Sequence, residues 1–239
     1  MKRSLAQLPR PAIAPSILAA DFAHLADEIA LVKAAGADLL HVDIMDGHFV
    51  PNLTIGPPVV EKIRAATDLL LDVHLMIEQP ARYIQAFAAA GADSITFHAE
   101  VVTDPEAMAG RIHELGCAAG VTINPDGPLD RVGQAIPHVD MVLMMTIFAG
   151  FGGQRFLPEV LPKIRQVKAW LREGQRLEAD GGLNPETVAM AAEAGVDTFV
   201  AGTAVFRAAD RDYTRAIAEL RRLAIEAAAR SKAQASADA

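Results

Sequence analysis

The chain has 239 residues, 51% of them hydrophobic, enough for one well-buried core and short for two domains. A formal net charge of -8 without a dense run of Lys or Arg excludes the electrostatic footprint of a nucleic-acid binder and points to small molecules. No apolar run approaches the ~20 residues of a membrane span, and a single cysteine, Cys117, forms neither an internal disulfide nor a thiolate cluster, so it reads as core in a cytoplasmic protein.

Residues 1–11 read as an N-terminal extension, because Pro9, Arg10, Pro11 and Pro15 interrupt any secretory h-region. Strands are expected near 12–16, 39–44, 69–76, 94–98, 118–124, 141–146, 176–180 and 198–202. Helical spacing of apolar residues appears between them, for example over 22–35 and 158–171. Three segments share one pattern: AAGADLLHVDI from residue 34, AAGADSITFHA from 89 and EAGVDTFVAGT from 193. Each reads as a helix end, a glycine suited to the left-handed C′ position, an aspartate and an apolar strand. A looser copy, IPHVDMVLMMT, starts at 136. Eight such units in one domain over 12–228 fit a closed single-domain (β/α)8 TIM barrel with short loops better than a doubly wound open sheet. The polar stretch 229–239, ARSKAQASADA, reads as a disordered tail.

In such a barrel the chemistry sits at the C-terminal strand ends. Those ends carry Ser16, His41, Asp43, His74, His98, Asn124 and Asp180. His41 and Asp43 are two apart in a strand and share a face, while Val42 and Ile44 turn to the helix layer. Together with His74 and Asp180 they make a His2Asp2 site for one divalent cation such as Zn, Fe, Mn or Co. Left without a metal or substrate, four polar groups buried at one barrel mouth would be uncompensated. His98 reads instead as a hydrogen-bonded buried residue that supports the site, and His24, His113 and His138 as solvated. Asp43 and Asp180, approaching from different sides of the mouth, suit removal of a proton from carbon on one face and its return on the other. The intermediate would be an enediolate, so epimerisation beside a ketone follows as the reaction class. Met45, Met76 and Met145 either line a wall of the site or fill core gaps.

Glycine loops follow three strands: AGFGGQRF over 149–156, DGGLNPET over 180–187 and AGTAVF over 201–206. They are either tight turns or a phosphate cradle, and three on one rim favour phosphate. Asn184 is placed to cap the helix that follows. The loop after strand six is long enough to act as a lid.

Taken together, Ser16, HVDIMDGHFVPN, DVHLM, GFGGQRF, DGG and AGTAVF closely resemble the ribulose-phosphate 3-epimerase family, in the same motif order as far as Phe206. The resemblance implies a (β/α)8 fold, one divalent metal, and interconversion of D-ribulose 5-phosphate and D-xylulose 5-phosphate. Carried over by position, it makes His41, Asp43, His74 and Asp180 the metal ligands and Asp43 and Asp180 also the acid/base pair. Ser16 and His74 would contact the sugar. Gly150, Phe151, Gly152, Gly153, Gly181, Gly182, Gly202 and Thr203 would hold the phosphate end. The implied partner is a phosphorylated ketose, and a homo-oligomer is expected. Two departures stand out: Phe148 and Ala149 replace the family's usual polar residue and proline before the lid glycines, and Ala179 precedes Asp180 where valine is usual.

A 3-epimerase of another ketose phosphate, such as a hexulose 6-phosphate, is the first alternative. A metal-dependent aldolase and a non-catalytic sugar-phosphate binder come next. A Schiff-base aldolase is disfavoured, because all lysines fall in expected helices or termini. The decarboxylases that resemble this barrel carry Asp-x-Lys-x-x-Asp on strand two, whereas Asp43-Ile44-Met45-Asp46 lacks the lysine.

Overall fold

The computed structural model describes residues 4–237, with side chains as far as residue 234. Eight strands, β1 Ala12–Pro15, β2 Leu39–Met45, β3 Leu70–Met76, β4 Ser94–His98, β5 Ala118–Ile123, β6 Met141–Met145, β7 Arg176–Asp180 and β8 Thr198–Ala201, form one parallel sheet ordered β1-β8-β7-β6-β5-β4-β3-β2. Every strand falls within a residue or so of its expected place. The two ends of the sheet meet through a parallel bridge between Ser16 and His41, which makes the sheet a (β/α)8 barrel. The helices are α1 Leu25–Ala34, α2 Pro57–Ala66, α3 Ile84–Ala90, α4 Pro105–Glu114, α5 Leu129–Ala135, α6 Leu161–Trp170, α7 Thr187–Glu193, α8 Thr203–Phe206 and α9 Tyr213–Ala237. Short 3-10 turns over Phe22–His24 and Pro158–Val160 open the expected helical stretches ahead of α1 and α6.

Strand alternation sorts the side chains into two layers. Leu40, Val42, Ile44, Leu71, Val73, Leu75, Ile95, Phe97, Val121 and Val142 belong to the buried cluster shared with the helices. The opposite parity points into the barrel, where Leu39, Leu70, Met141, Ala12 and Ala14 pack with Leu5 at the N-terminal end of the strands. The described part of the N-terminal extension, residues 4–11, is therefore a plug. Buried Arg176 holds it by donating to the carbonyls of Leu5, Leu8 and Pro9 at 3.1, 3.2 and 2.7 Å.

The repeated aspartate has one job in four places. Asp38, Asp93, Asp140 and Asp197 each precede an even-numbered strand, and each carboxylate accepts the backbone N–H of Ile13, Leu71, Ala119 or Leu177 on the odd-numbered strand before it, at 2.8–3.3 Å. The same aspartates donate their own N–H to the carbonyls of those same residues. A cationic or imidazole side chain completes each staple: Arg221 on Asp38, Arg64 on Asp93, His113 on Asp140 and Arg10 on Asp197. The glycine before the aspartate is needed at Gly91, whose φ is 107° and where a Cβ would fall 2.4 Å from Arg64 Cγ.

The stretch expected as a disordered tail is helical as far as Ala237, continuing α9. Alanine-rich sequence favours the helix, and contacts to α7 secure it: Arg230 pairs with Glu193 at 3.0 Å, and Ser231 Oγ donates to the Glu193 carbonyl at 3.1 Å. Ala224 and Ala227 are buried beneath this turn of the helix.

Asp93→Ala removes a charged acceptor shared by a backbone N–H and a guanidinium. It should lower unfolding stability by about 2 kcal/mol, read from urea midpoints. Loss below about 0.5 kcal/mol would show that the staple is dispensable.

Candidate active site

The site begins with two adjacent strands in register. On β2 and β3, His41 pairs with Asp72 and Asp43 with His74, so four polar side chains of one parity stack along the barrel axis. All four are buried. Asp180 ends β7 and reaches the same point from the far side, with Oδ2 at 3.9 Å from His41 Nε2. One donor atom from each of His41, Asp43, His74 and Asp180 lies within 4.8 Å of the others, as the sequence led us to expect.

The donors are held from behind. Ser16 Oγ donates to Asp43 Oδ2 at 2.6 Å, Thr54 Oγ1 ties down the Asp43 carbonyl at 2.7 Å, and Thr146 Oγ1 lies 2.9 Å from the Asp180 carbonyl. His41 Nδ1 meets Asp72 Oδ2 at 2.7 Å, and His74 Nε2 meets His98 Nε2 at 2.9 Å. The other ring nitrogens, His41 Nε2 and His74 Nδ1, are buried without a hydrogen-bond partner, and each lies 3.3 Å from Asp43 Oδ1. Two imidazole nitrogens and two carboxylates aimed at one point form a donor set suited to a borderline divalent cation.

The electrostatics agree. Burial works against charge on His41, yet the charge of Asp43 and its hydrogen bond, with Asp72 behind, hold the imidazole well above its ordinary value. Burial likewise works against charge on Asp43, but His41 and then His74 hold it far below the usual carboxylate range. The pocket thus prefers positive charge, which a divalent cation held by these four residues would supply. Asp180 is pushed up to about 7, first by burial and then by the charge of Asp43. The two carboxylates are therefore unlike: one stays ionised and the other titrates near neutrality.

A cavity of about 610 Å³ opens above these groups. Ser16, Asp43, Asp180, Gly150, Phe151, Gly152, Gly153, Gly181, Gly182, Gly202 and Thr203 all line it, while His41 and His74 stand behind Asp43. Met45, Met76 and Met145 also line it while packing in small buried clusters, so both of their readings hold. Gly181 and Gly182 serve packing as well as access, since a Cβ there would fall 2.8 Å from Ile147 N and 2.4 Å from Phe156 N. Asn184 Oδ1 accepts from the N–H groups of Glu186 and Thr187, the capping contact expected of it, just ahead of α7.

Several contributors escaped the sequence reading. Asp72 and Glu178 sit two residues before His74 and Asp180, hence on the same inward face; strand parity was the signal that could have found them. Glu178 is pushed well up, by burial first and then by the charge of Asp72. Arg207 lines the cavity and supplies its only cationic side chain among the described residues. It lies one residue past α8, four after Thr203. Asn52 donates across the mouth from Nδ2 to the Gly150 carbonyl at 2.8 Å. Phe148 does not line the cavity, and its ring is half exposed. Ala149 instead donates its N–H to Asn124 Oδ1 at 3.0 Å, a bond that proline at this position cannot make.

His98 is outside the four-residue cluster, in keeping with a supporting role, and its ring packs on Phe49 at 4.5 Å between centroids. His24 and His113 are exposed, and His138 is partly so. No lysine lines the cavity among the described residues.

Residues 12–206 match the model of the ribulose-phosphate 3 epimerase family. A ribulose-phosphate 3-epimerase of Mycobacterium bovis is 54% identical over 217 residues, covering 90% of this chain and 93% of that one. One from Bacillus subtilis is 51% identical, covering 87% and 97%. Among solved structures, a 3-keto-L-gulonate-6-phosphate decarboxylase from Vibrio cholerae superposes with a TM-score of 0.67 at 17% identity, covering 90% and 98%, a likeness of fold alone.

Burial drives the His98 pKa down to about 4, only partly offset by Glu100, from an ordinary value of 6.5. The unfolded chain therefore takes up a proton at His98 that the folded protein refuses, and the folded state loses stability as pH falls from 6.5 towards 4. By pH 5 this amounts to about 2 kcal/mol. Urea titrations at pH 7 and pH 5 should show a smaller drop for His98→Asn than for the unaltered protein; equal drops would remove His98 as the cause.

Proposed function

The chain belongs to the ribulose-phosphate 3-epimerase family, and on that premise we propose that it interconverts D-ribulose 5-phosphate and D-xylulose 5-phosphate by moving the C3 proton between Asp43 and Asp180. What carries the reading is the pairing of two carboxylates, brought by β2 and β7 to one cavity beside two unpaired imidazole nitrogens.

His41, Asp43, His74 and Asp180 would hold the divalent cation, which when bound supplies a Lewis acid for the charge that develops on the ketose oxygens. The chain's own work is positioning and proton transfer. Ser16 fixes the orientation of the Asp43 carboxylate through Oδ2. One aspartate withdraws the C3 proton from one face, leaving an enediolate, and the other delivers its proton to the opposite face. The configuration at C3 inverts, and the two aspartates exchange roles in the reverse direction. Met45, Met76 and Met145 form an apolar wall, and the lid over 149–156 limits the access of water to the intermediate.

The phosphate end is assigned to the glycine-lined rim with Thr203, and the Arg207 guanidinium offers it a counter-charge. The pentulose is preferred to a hexulose because Phe148, the departure that raised the alternative, stands outside the cavity wall. A cytoplasmic setting fits the buried thiol of Cys117; among the described residues no helix is long and apolar enough to cross a membrane.

Purified protein incubated with ribulose 5-phosphate and a divalent cation in deuterated water should yield xylulose 5-phosphate labelled at C3. No product and no label would reject the pentulose assignment. Asp43→Asn and Asp180→Asn should each cut kcat by about a thousandfold or more, and full activity in either would end the two-base scheme. Arg207→Ala should raise KM about tenfold while kcat changes by less than about twofold. An unchanged KM would place the phosphate elsewhere.

A further inference from the structure

We infer that His98, Glu100 and Asn124 form a positioning relay that couples the ring orientation of His74 to the lid, so that cation binding also fastens the lid; the inference rests on the metal-site reading above. The contacts run without a gap. His74 Nε2 lies 2.9 Å from His98 Nε2, and His98 Nδ1 lies 3.3 Å from Glu100 Oε2, where neither atom has a better-aligned partner. Glu100 Oε1 accepts from both the backbone N–H and the side-chain Nδ2 of Asn124, at 2.8 and 2.9 Å. That leaves Asn124 Oδ1 to accept the N–H of Ala149 in the lid at 3.0 Å. Ala149 and Gly150 both line the cavity, and Asn52 holds Gly150 from the other side.

Hydrogen-bond polarity transmits the signal. A neutral imidazole has one N–H and one lone pair. When His74 Nδ1 serves as a ligand, its hydrogen sits on Nε2 and is donated to His98 Nε2. The hydrogen of His98 then sits on Nδ1 and faces the Glu100 carboxylate, an attractive contact. When His74 carries its hydrogen on Nδ1, towards Asp43, both rings reverse. His98 then turns a lone pair towards Glu100, an acceptor facing an acceptor. Phe49 covers His98, which is wholly buried, so solvent does not relieve the mismatch. Glu100 also fixes which way round the Asn124 amide sits, because only the NH2 group can face a carboxylate. The lid contact is therefore set by the same carboxylate that reads the ring.

His98, Glu100 and Asn124 touch neither the donor point nor the cavity interior, so they act as positioning residues. Zn2+ alone is the probe, with NMR hydrogen exchange at the Ala149 amide as the readout and calorimetric titration to measure binding. In the unaltered protein, Zn2+ should slow exchange at Ala149 by about tenfold, comparable to the gain of a charge-linked hydrogen bond. Glu100→Gln keeps all four ligands and the side-chain shape. It should still bind Zn2+, with affinity reduced by less than about tenfold, yet the slowing at Ala149 should fall below about twofold. Asn124→Ala should leave Ala149 in fast exchange with or without Zn2+, and both variants should raise KM more than they lower kcat.

A Glu100→Gln protein with undiminished slowing would overturn the relay, as would an unaltered protein that binds Zn2+ without any change at Ala149. In either case the metal-site reading stands. Failure of the unaltered protein to bind Zn2+ would overturn that reading, and the relay with it. Should Glu100→Gln not fold, His98→Asn, which removes the ring between His74 and Glu100, decides by the same measurement: undiminished slowing at Ala149 would overturn the relay.

Discussion

Much of the upper barrel is organised around one buried carboxylate. Asp43 is nearly without solvent, and a carboxylate so placed costs several kcal/mol unless it is paired. Its partners are His41 and His74 at 3.3 Å on one oxygen and Ser16 at 2.6 Å on the other. Each of these partners makes a further link: His41 to Asp72, His74 to His98, and Ser16 to the bridge that joins the first strand to the second. Barrel closure, the four-donor cluster and the cavity therefore meet at a single side chain.

The lower barrel solves a different problem. Parallel strands need their edges held in register without help from tight hairpins. Four aspartates provide this, each stapling an even-numbered strand to the odd-numbered one before it through a backbone N–H and a cation or imidazole. Leu5 and its neighbours then close the bottom, with the Arg176 guanidinium bound to three of their carbonyls. Stability is concentrated at one end of the strands and chemistry at the other, which leaves the catalytic rim free to carry glycines and a long loop.

That rim is ordered by side chains borrowed from other units. The loop after β6 is tied by Asn124 from the end of β5, by Asn52 from the loop after β2, and by its own Gln154, which donates to the carbonyls of Phe148 and Phe151. Replacing the family's proline with Ala149 supplies the N–H that the first of these ties requires. The departure is thus a change in how the lid is fastened, and the cavity wall keeps its expected residues.

The sequence by itself determined the eight strands, the inward face of β2, the four convergent donors and the three glycine loops. These are local facts: alternation decides which side chains share a face, a left-handed glycine ends a helix, and polar residues at strand ends of an apolar barrel require a partner. It misjudged the C-terminal stretch, where alanine content and a contact to Glu193 outweighed the polar composition. Asp72, Glu178 and Arg207 were on the page, but their importance depends on neighbours far away in sequence. Only the tertiary structure decided that the repeated aspartates are staples, that Asn52 spans the mouth, and that His98, Glu100 and Asn124 connect His74 to Ala149 in the loop after β6. Hydrogen bonds of this kind are set by distance and angle between atoms of different units, and residue spacing along the chain carries no measure of either.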